Sequence, residues 1–328
     1  MTWLTWRQFR TSALSVFSGL AVIGVVLGIT GPQLAGRTDF SDQDFLYNGT
    51  ILLVYVLPAI IGVFWGVPLV TRELENGTHS LVWNQTITRK RWLGTKLGAG
   101  VLTAMIAAGL LSLAVTWWAG PIDALAAQST DRSMVSRMSP VVFAARGIVP
   151  IGYAAFAFVL GVAVGIVLRR TVTAMAVTLV LFVGVQLAVP LLVRPYLLPA
   201  VNETVAITAS NVLGISGDNQ GVIQNIVVQE PAGAWMLTDE TVDPSGKAVS
   251  PLPDVVQNCA PKPGQGGLPE PGSAATCIAK LNDLGYHQQL AYQPASRFWA
   301  LQWIELGLFL VLSAFVGWFS FRRLRHLA

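Results

Sequence analysis

Six stretches of this chain are long and apolar enough to cross a bilayer, and no other feature constrains its fold as tightly. Crossing about 30 Å of hydrocarbon takes roughly 20 mainly apolar residues. Such runs fall at about 12–32, 50–70, 94–119, 146–168, 173–193 and 299–321 of the 328 residues. None alternates as a strand would, and a barrel would need alternating segments of about ten residues. The composition agrees. Charged residues make up 12% of the chain and apolar residues 53%, with a mean hydropathy of +0.58. A soluble protein with about half the usual charge could not cover its surface, and disorder needs low hydrophobicity with high charge. Nucleic-acid binding needs a basic stripe with stacking aromatics, whereas the basic residues here gather at the ends of apolar runs. The expected fold is an all-α integral membrane protein with six transmembrane helices in the cell membrane.

Lys and Arg in the flanks set the expected orientation, because short cytoplasmic segments carry the basic excess. Arg7, Arg10, Arg72, Arg89, Lys90, Arg91, Lys96, Arg169, Arg170, Arg322, Arg323 and Arg325 all fall on one side, out of 21 basic residues in the chain. Most of the 17 acids fall on the other. The first side is therefore read as cytoplasmic, with both termini there. The first run is too long for a cleaved signal peptide, and no Ala-x-Ala site follows it. Before it, residues 1–11 (MTWLTWRQFRT) place Trp3, Leu4, Trp6 and Phe9 near Arg7 and Arg10 at helical spacing. This predicts an interfacial amphipathic helix on the inner leaflet. Residues 12–193 would hold the first five spans, with a cytoplasmic loop at 71–93, and residues 299–328 the sixth span and a basic tail.

The segment 194–298 is long enough to be an extracellular domain inserted between spans five and six. It holds both cysteines, Cys259 and Cys277. Their shared place on the oxidising side predicts a disulfide. Asp243-Pro244-Ser245-Gly246 reads as a hairpin turn between 234–237 and 247–250, and Cys277–Leu290 as a short helix.

Several kinds of chemistry are excluded. There is no G-x-x-x-x-G-K-[ST] phosphate-cradling loop, so the chain is not expected to hydrolyse ATP alone. His79, His287 and His326 all lie outside the runs, which removes an intramembrane metalloprotease or a His-assisted serine protease. No catalytic or metal site is expected. The one acid inside a run is Glu305. A charge at membrane depth is costly and is a functional candidate by default. Glu305 is read either as a snorkelling or protonated acid bonded to a neighbouring helix, or as a residue lining a transport path. Small residues four apart, at Gly24/Gly28, Gly62/Gly66 and Gly161/Gly165, allow close helix approach, within the chain or between copies. Pro58 and Pro68 predict kinks or loosened hydrogen bonds in the second span.

The stretch 71–100 is the most informative. The second helix can run on through Arg72, Glu73, Leu74 and Glu75 until Asn76-Gly77 breaks it. Thr78 can cap a short helix, Thr78–Trp83, whose Leu81, Val82 and Trp83 form an apolar side too small to span anything. Thr88 can cap the third span. A small apolar helix would thus stand in the cytoplasm with nothing in this chain to bury it.

The run Arg72-Glu73-x-Glu75-x-Gly77-Thr78, followed by a short apolar helix and Thr88-Arg89-x-x-Trp92, resembles the coupling loop of ABC exporter permeases of the six-span type V class. Tyr292–Glu305, with Cys277 and the large insert, looks like an actinobacterial permease group. The resemblance implies an export permease subunit, and apolar spans with one acid favour a hydrophobic or amphiphilic drug-like or lipid-like cargo. It implies a separate cytoplasmic ATP-binding subunit that holds ATP and magnesium, and a second permease copy, as homodimer or heterodimer. Arg72, Glu73, Glu75, Gly77, Thr78, Leu81, Val82, Trp83 and Arg89 would couple to that subunit, with Glu73 and Glu75 pairing with its basic residues. The competing reading is a non-transporting sensor or assembly protein that displays the outer domain. It leaves the 78–83 helix without a purpose.

Overall fold

The computed structural model describes residues 2–37, 39–77, 88–128, 135–217, 222–257 and 273–325. Six helices are long and apolar enough to span: Ala13–Leu34, Asp44–Glu75, Lys90–Trp118, Val149–Leu168, Thr171–Tyr196 and Ala295–Leu324. They are numbered spans one to six below. They fall where the apolar runs predict them, and spans two, five and six extend past those runs at both ends because a helix can continue beyond hydrocarbon. One α-helix, Thr2–Thr30, covers both the expected interfacial segment and most of span one. Span two ends at Glu75, and Gly77 has φ +67°, the left-handed backbone that favours glycine. Thr88 caps span three: its hydroxyl accepts from the Arg91 N–H at 3.3 Å.

The chain divides into two compact units. One holds residues 1–125, 139–197 and 298–328, and the other 126–138 and 198–297. In the first, span four is the centre. Of its most apolar window 78% is buried, against 11% for span one. Spans two, three, five and six all contact it. Its sequence, VPIGYAAFAFVLGVAVGIVL, is apolar on every side, as a helix enclosed all round requires.

Span two carries the prolines. Its α-helix Asp44–Ile60 gives way to a π-helical turn at Ile61–Gly66, followed by α-helix Pro68–Glu75. The Val67 N–H reaches back five residues to the Gly62 carbonyl at 3.1 Å. A proline ring collides with the carbonyl four residues earlier and donates no hydrogen bond. Widening the turn before Pro68 relieves the collision and keeps the helix continuous.

Spans two and four touch backbone to backbone. A Cβ on Gly161 would lie 2.2 Å from the Gly62 carbonyl oxygen, and one on Gly66 would lie 2.5 Å from that of Phe158. These two small-residue pairs therefore serve packing within the chain, whereas a Cβ on Gly24 or Gly28 meets nothing within 4 Å. Gly161→Leu is expected to destabilise the protein by about 1–3 kcal/mol through overpacking, with Gly24→Leu close to neutral. Thermal unfolding in detergent checks this; equal shifts in the two variants would remove the packing argument.

The second unit corrects the all-α expectation. It contains an antiparallel three-stranded sheet in the order β1 (Val201–Ala206), β5 (His287–Gln293), β4 (Trp235–Val242). Strands β2 (Val212–Gly217) and β3 (Ile223–Val228) pair separately. Ile207, Ile223, Ile226, Val228, Leu252, Val256, Leu281 and Leu290 form its core. The expected turn is present. The Asp243 carboxylate accepts from the Ser245 N–H and hydroxyl and from the Lys247 N–H, and these donors hold its pKa below the ordinary value. The expected second arm shrinks to a single bridge, Val242 to Ala248, because the long partner of β4 is β5. The helix expected over Cys277–Leu290 ends at Asp283. Gly285 at φ +79° stops it, and Gln288 and Leu290, two apart and both buried, belong to a strand. The modest loop read at 120–145 also contributes to this unit, where the Ser136 hydroxyl donates to the Gly233 carbonyl at 2.7 Å. Cys259 and the side chain of Cys277 lie outside the described residues.

Candidate functional site

Within the first unit, polar side chains gather at two opposite ends of the spans. The first cluster surrounds the end of span two. Glu73 accepts from Lys96 Nζ of span three at 2.5 Å, and the same ammonium donates to the Leu69 carbonyl at 3.2 Å and stands 4.7 Å from the Trp92 ring centre. Glu75 reaches the start of span five. Its Oε2 accepts from the Thr171 hydroxyl at 2.5 Å and its Oε1 from the Thr171 N–H at 3.4 Å. The Thr171 and Thr71 hydroxyl oxygens lie 2.8 Å apart. The carboxylate of Glu75 thus caps a helix N-terminus, where free amides and the helix dipole favour negative charge.

This changes the reading of the two acids. They were expected to face a partner protein, yet each has a partner inside the chain. Nothing in the local sequence names those partners, because Lys96 and Thr171 lie on other spans. Arg72 is exposed and Gly77 ends the helix. Arg89 opens span three. Thr78, Leu81, Val82 and Trp83 lie outside the described residues.

The second cluster surrounds Glu305. This carboxylate sits about 10 Å along its helix from Phe298 at 1.5 Å per residue and has no exposed surface. Arg194, at the far end of span five, holds it from two sides: Nε to Oε2 at 2.7 Å and Nη2 to Oε1 at 2.9 Å. The Tyr153 hydroxyl of span four donates to Oε1 at 2.5 Å. Arg194 Nη1 donates to the Pro140 carbonyl at 2.9 Å, and the guanidinium lies 4.4 Å from the Phe143 ring centre. Glu305 is therefore not snorkelling: it is bonded to neighbouring helices, as one reading expected, and it pairs with Arg194 in a buried ion pair. Both its oxygens are occupied within the chain.

One turn earlier on span six, Gln302 performs a related task. Its Oε1 accepts from the Ile148 and Val149 N–H groups at 2.9 and 3.0 Å, and its Nε2 donates to the Phe143 carbonyl at 3.1 Å. It caps span four from a different helix and satisfies amides that lipid cannot. A second pair, Arg146 Nε to Asp123 Oδ2 at 3.2 Å, is also buried. The sequence reading passed over Arg194, Gln302, Asp123 and Arg146. A usable signal existed for Gln302 and Glu305. They are three apart in an apolar run and so share a helix face, which marks that face as turned toward protein.

Residues 32–194 match the family described as ABC-2 membrane transporter related. Spans two to five form an ABC-2 membrane transporter related domain. The match takes in the Glu73/Glu75 cluster and ends at Arg194, before the β-strands and span six. No curated protein and no solved structure matches the chain. With six spanning helices, the ABC-2 domain makes this a multi-pass membrane protein of the permease type. Permeases of the ABC-2 family are generally membrane subunits without an ATPase of their own, and they typically work with an ATP-binding partner.

Proposed function

We propose that this chain is the membrane permease subunit of an ATP-driven exporter in the plasma membrane. Its basic side faces the cytoplasm, the β-sheet unit faces outward, and two permease copies flank the path. The observation that most supports this reading is the double fastening of the end of span two: Glu73 to Lys96 on span three and Glu75 to Thr171 on span five. Beyond Gly77 the sequence offers the apolar residues Leu81, Val82 and Trp83. A subunit seated on them would pull on three spans at once. ATP and magnesium belong to that subunit. The low polarity of the spans favours a hydrophobic or amphiphilic cargo.

The test is co-expression with an ATP-binding subunit encoded nearby, followed by co-purification and reconstitution into vesicles. ATP-dependent movement of a fluorescent amphiphile is the expected result. A chain that binds no such subunit, and leaves its hydrolysis rate unchanged, would favour the sensor or assembly reading.

A further inference from the structure

We propose that spans three, four and six form a binding site for one acyl chain of an anionic phospholipid, drawn from the leaflet that meets Lys90, Arg91 and Arg322. Between these spans lies a shallow, largely open groove of about 510 Å³, lined almost wholly by carbon. Its lining runs from Gly94 to Met105 along span three. At 1.5 Å per residue this is roughly 16 Å, close to half of a 30 Å hydrocarbon core. The groove therefore runs the depth of one leaflet and not of the whole membrane.

Glycines keep it open. Gly98 faces outward, and a Cβ there would meet nothing within 4 Å; on Gly94 and Gly317 the nearest atoms would stand at 3.7 and 3.8 Å. These positions contrast with Gly62, Gly66 and Gly161, where a Cβ would strike backbone. Close helix packing accounts for the second group but not for the first. What the missing side chains leave is volume in the groove.

Charge at one end identifies the occupant. Trp318 lines the cavity, and the Arg322 guanidinium lies 5.5 Å from its ring centre. Lys90 and Arg91 stand about one turn before Gly94, on the same flank as Arg322 and Arg323, and Arg91, Arg322 and Arg323 are exposed. Positive charge at the mouth of an apolar slot of one-leaflet depth matches a phosphate headgroup above an acyl chain. Basic residues near such a surface favour anionic lipid by about five-fold each. The proposal does not depend on the exporter reading, since it concerns a groove outside the Glu73/Glu75 cluster.

The test uses the full chain purified in mild detergent and given an equimolar mixture of phosphatidylglycerol and phosphatidylcholine, with retained lipid counted by native mass spectrometry. The wild type is expected to keep phosphatidylglycerol preferentially. Gly98→Leu fills the slot and is expected to lose most of the retained lipid of both kinds. Arg322→Gln leaves the slot open and is expected to lower the preference for phosphatidylglycerol about five-fold. Gel filtration confirms that each variant is folded, and Arg322→Gln, lying outside the packed core, carries the test should Gly98→Leu misfold. Equal retention of the two lipids by the wild type would overturn the proposal. So would an unchanged preference in Arg322→Gln, or a dimer-specific cross-link between engineered cysteines at Gly98 of two copies that excludes lipid.

Discussion

Arg194→Leu is expected to destabilise the protein by about 3–5 kcal/mol, the range observed when one partner of a buried ion pair is removed. The loss arises because Glu305 stays behind in a site with no exposed surface, keeping only the Tyr153 hydroxyl as donor. Taking both ions away removes that cost, so Arg194→Leu combined with Glu305→Leu should recover most of the stability. Glu305→Gln keeps the shape and a carbonyl acceptor for the guanidinium, which retains Phe143 and the Pro140 carbonyl, and should fall between these. Thermal unfolding followed by tryptophan fluorescence orders the variants. A double variant no more stable than Arg194→Leu would show that the pair's geometry, rather than the naked charge, is what the fold requires. On the exporter reading, transport should follow stability through the series. Transport lost in Glu305→Gln at unchanged stability would instead give Glu305 a direct role in the path.

The second large effect concerns the segment proposed to couple to an ATP-binding subunit. Trp83→Ala removes the largest apolar side chain from the segment beyond Gly77. If that segment docks on an ATP-binding subunit, truncating a tryptophan anchor should cost at least about 2 kcal/mol, or roughly 30-fold in affinity. Thr171→Val should behave differently. It deletes the hydroxyl that ties Glu75 to span five while leaving the docking segment untouched. The expected outcome is normal retention of the ATP-binding subunit with weakened stimulation of hydrolysis by cargo. Glu75→Lys deepens the second defect: it removes the same tie and sets a cation against the positive end of span five, where it is disfavoured. Co-purification measures docking and stimulated hydrolysis measures transmission. If Trp83→Ala kept both at wild-type levels, residues 78–83 would not be the docking element and the exporter reading would lose its main support.

The sequence by itself determined the number and place of the spans. It also determined the end of span two at Asn76-Gly77, the cap at Thr88 and the turn at Asp243. All of these are local consequences of residue type: apolar length against bilayer thickness, glycine against left-handed backbone, a hydroxyl against free amides. The sequence also carried the family resemblance, whose coupling-loop part, Arg72–Trp92, sits within the matched residues, while the part read at Tyr292–Glu305 lies beyond them. Only the tertiary structure decided the partners of the charges. Glu305 meets Arg194 across 111 positions of sequence, Glu73 meets Lys96 across 23 and Glu75 meets Thr171 across 96. No local pattern specifies such pairings, because the choice among distant cations depends on which helix faces are turned inward. The β-sheet unit stayed illegible for a related reason. Its strands are short, and its longest pairing joins β4 to β5 across some fifty residues of sequence. Helical periodicity closes within one segment, whereas a sheet exists only once the chain has brought distant segments together.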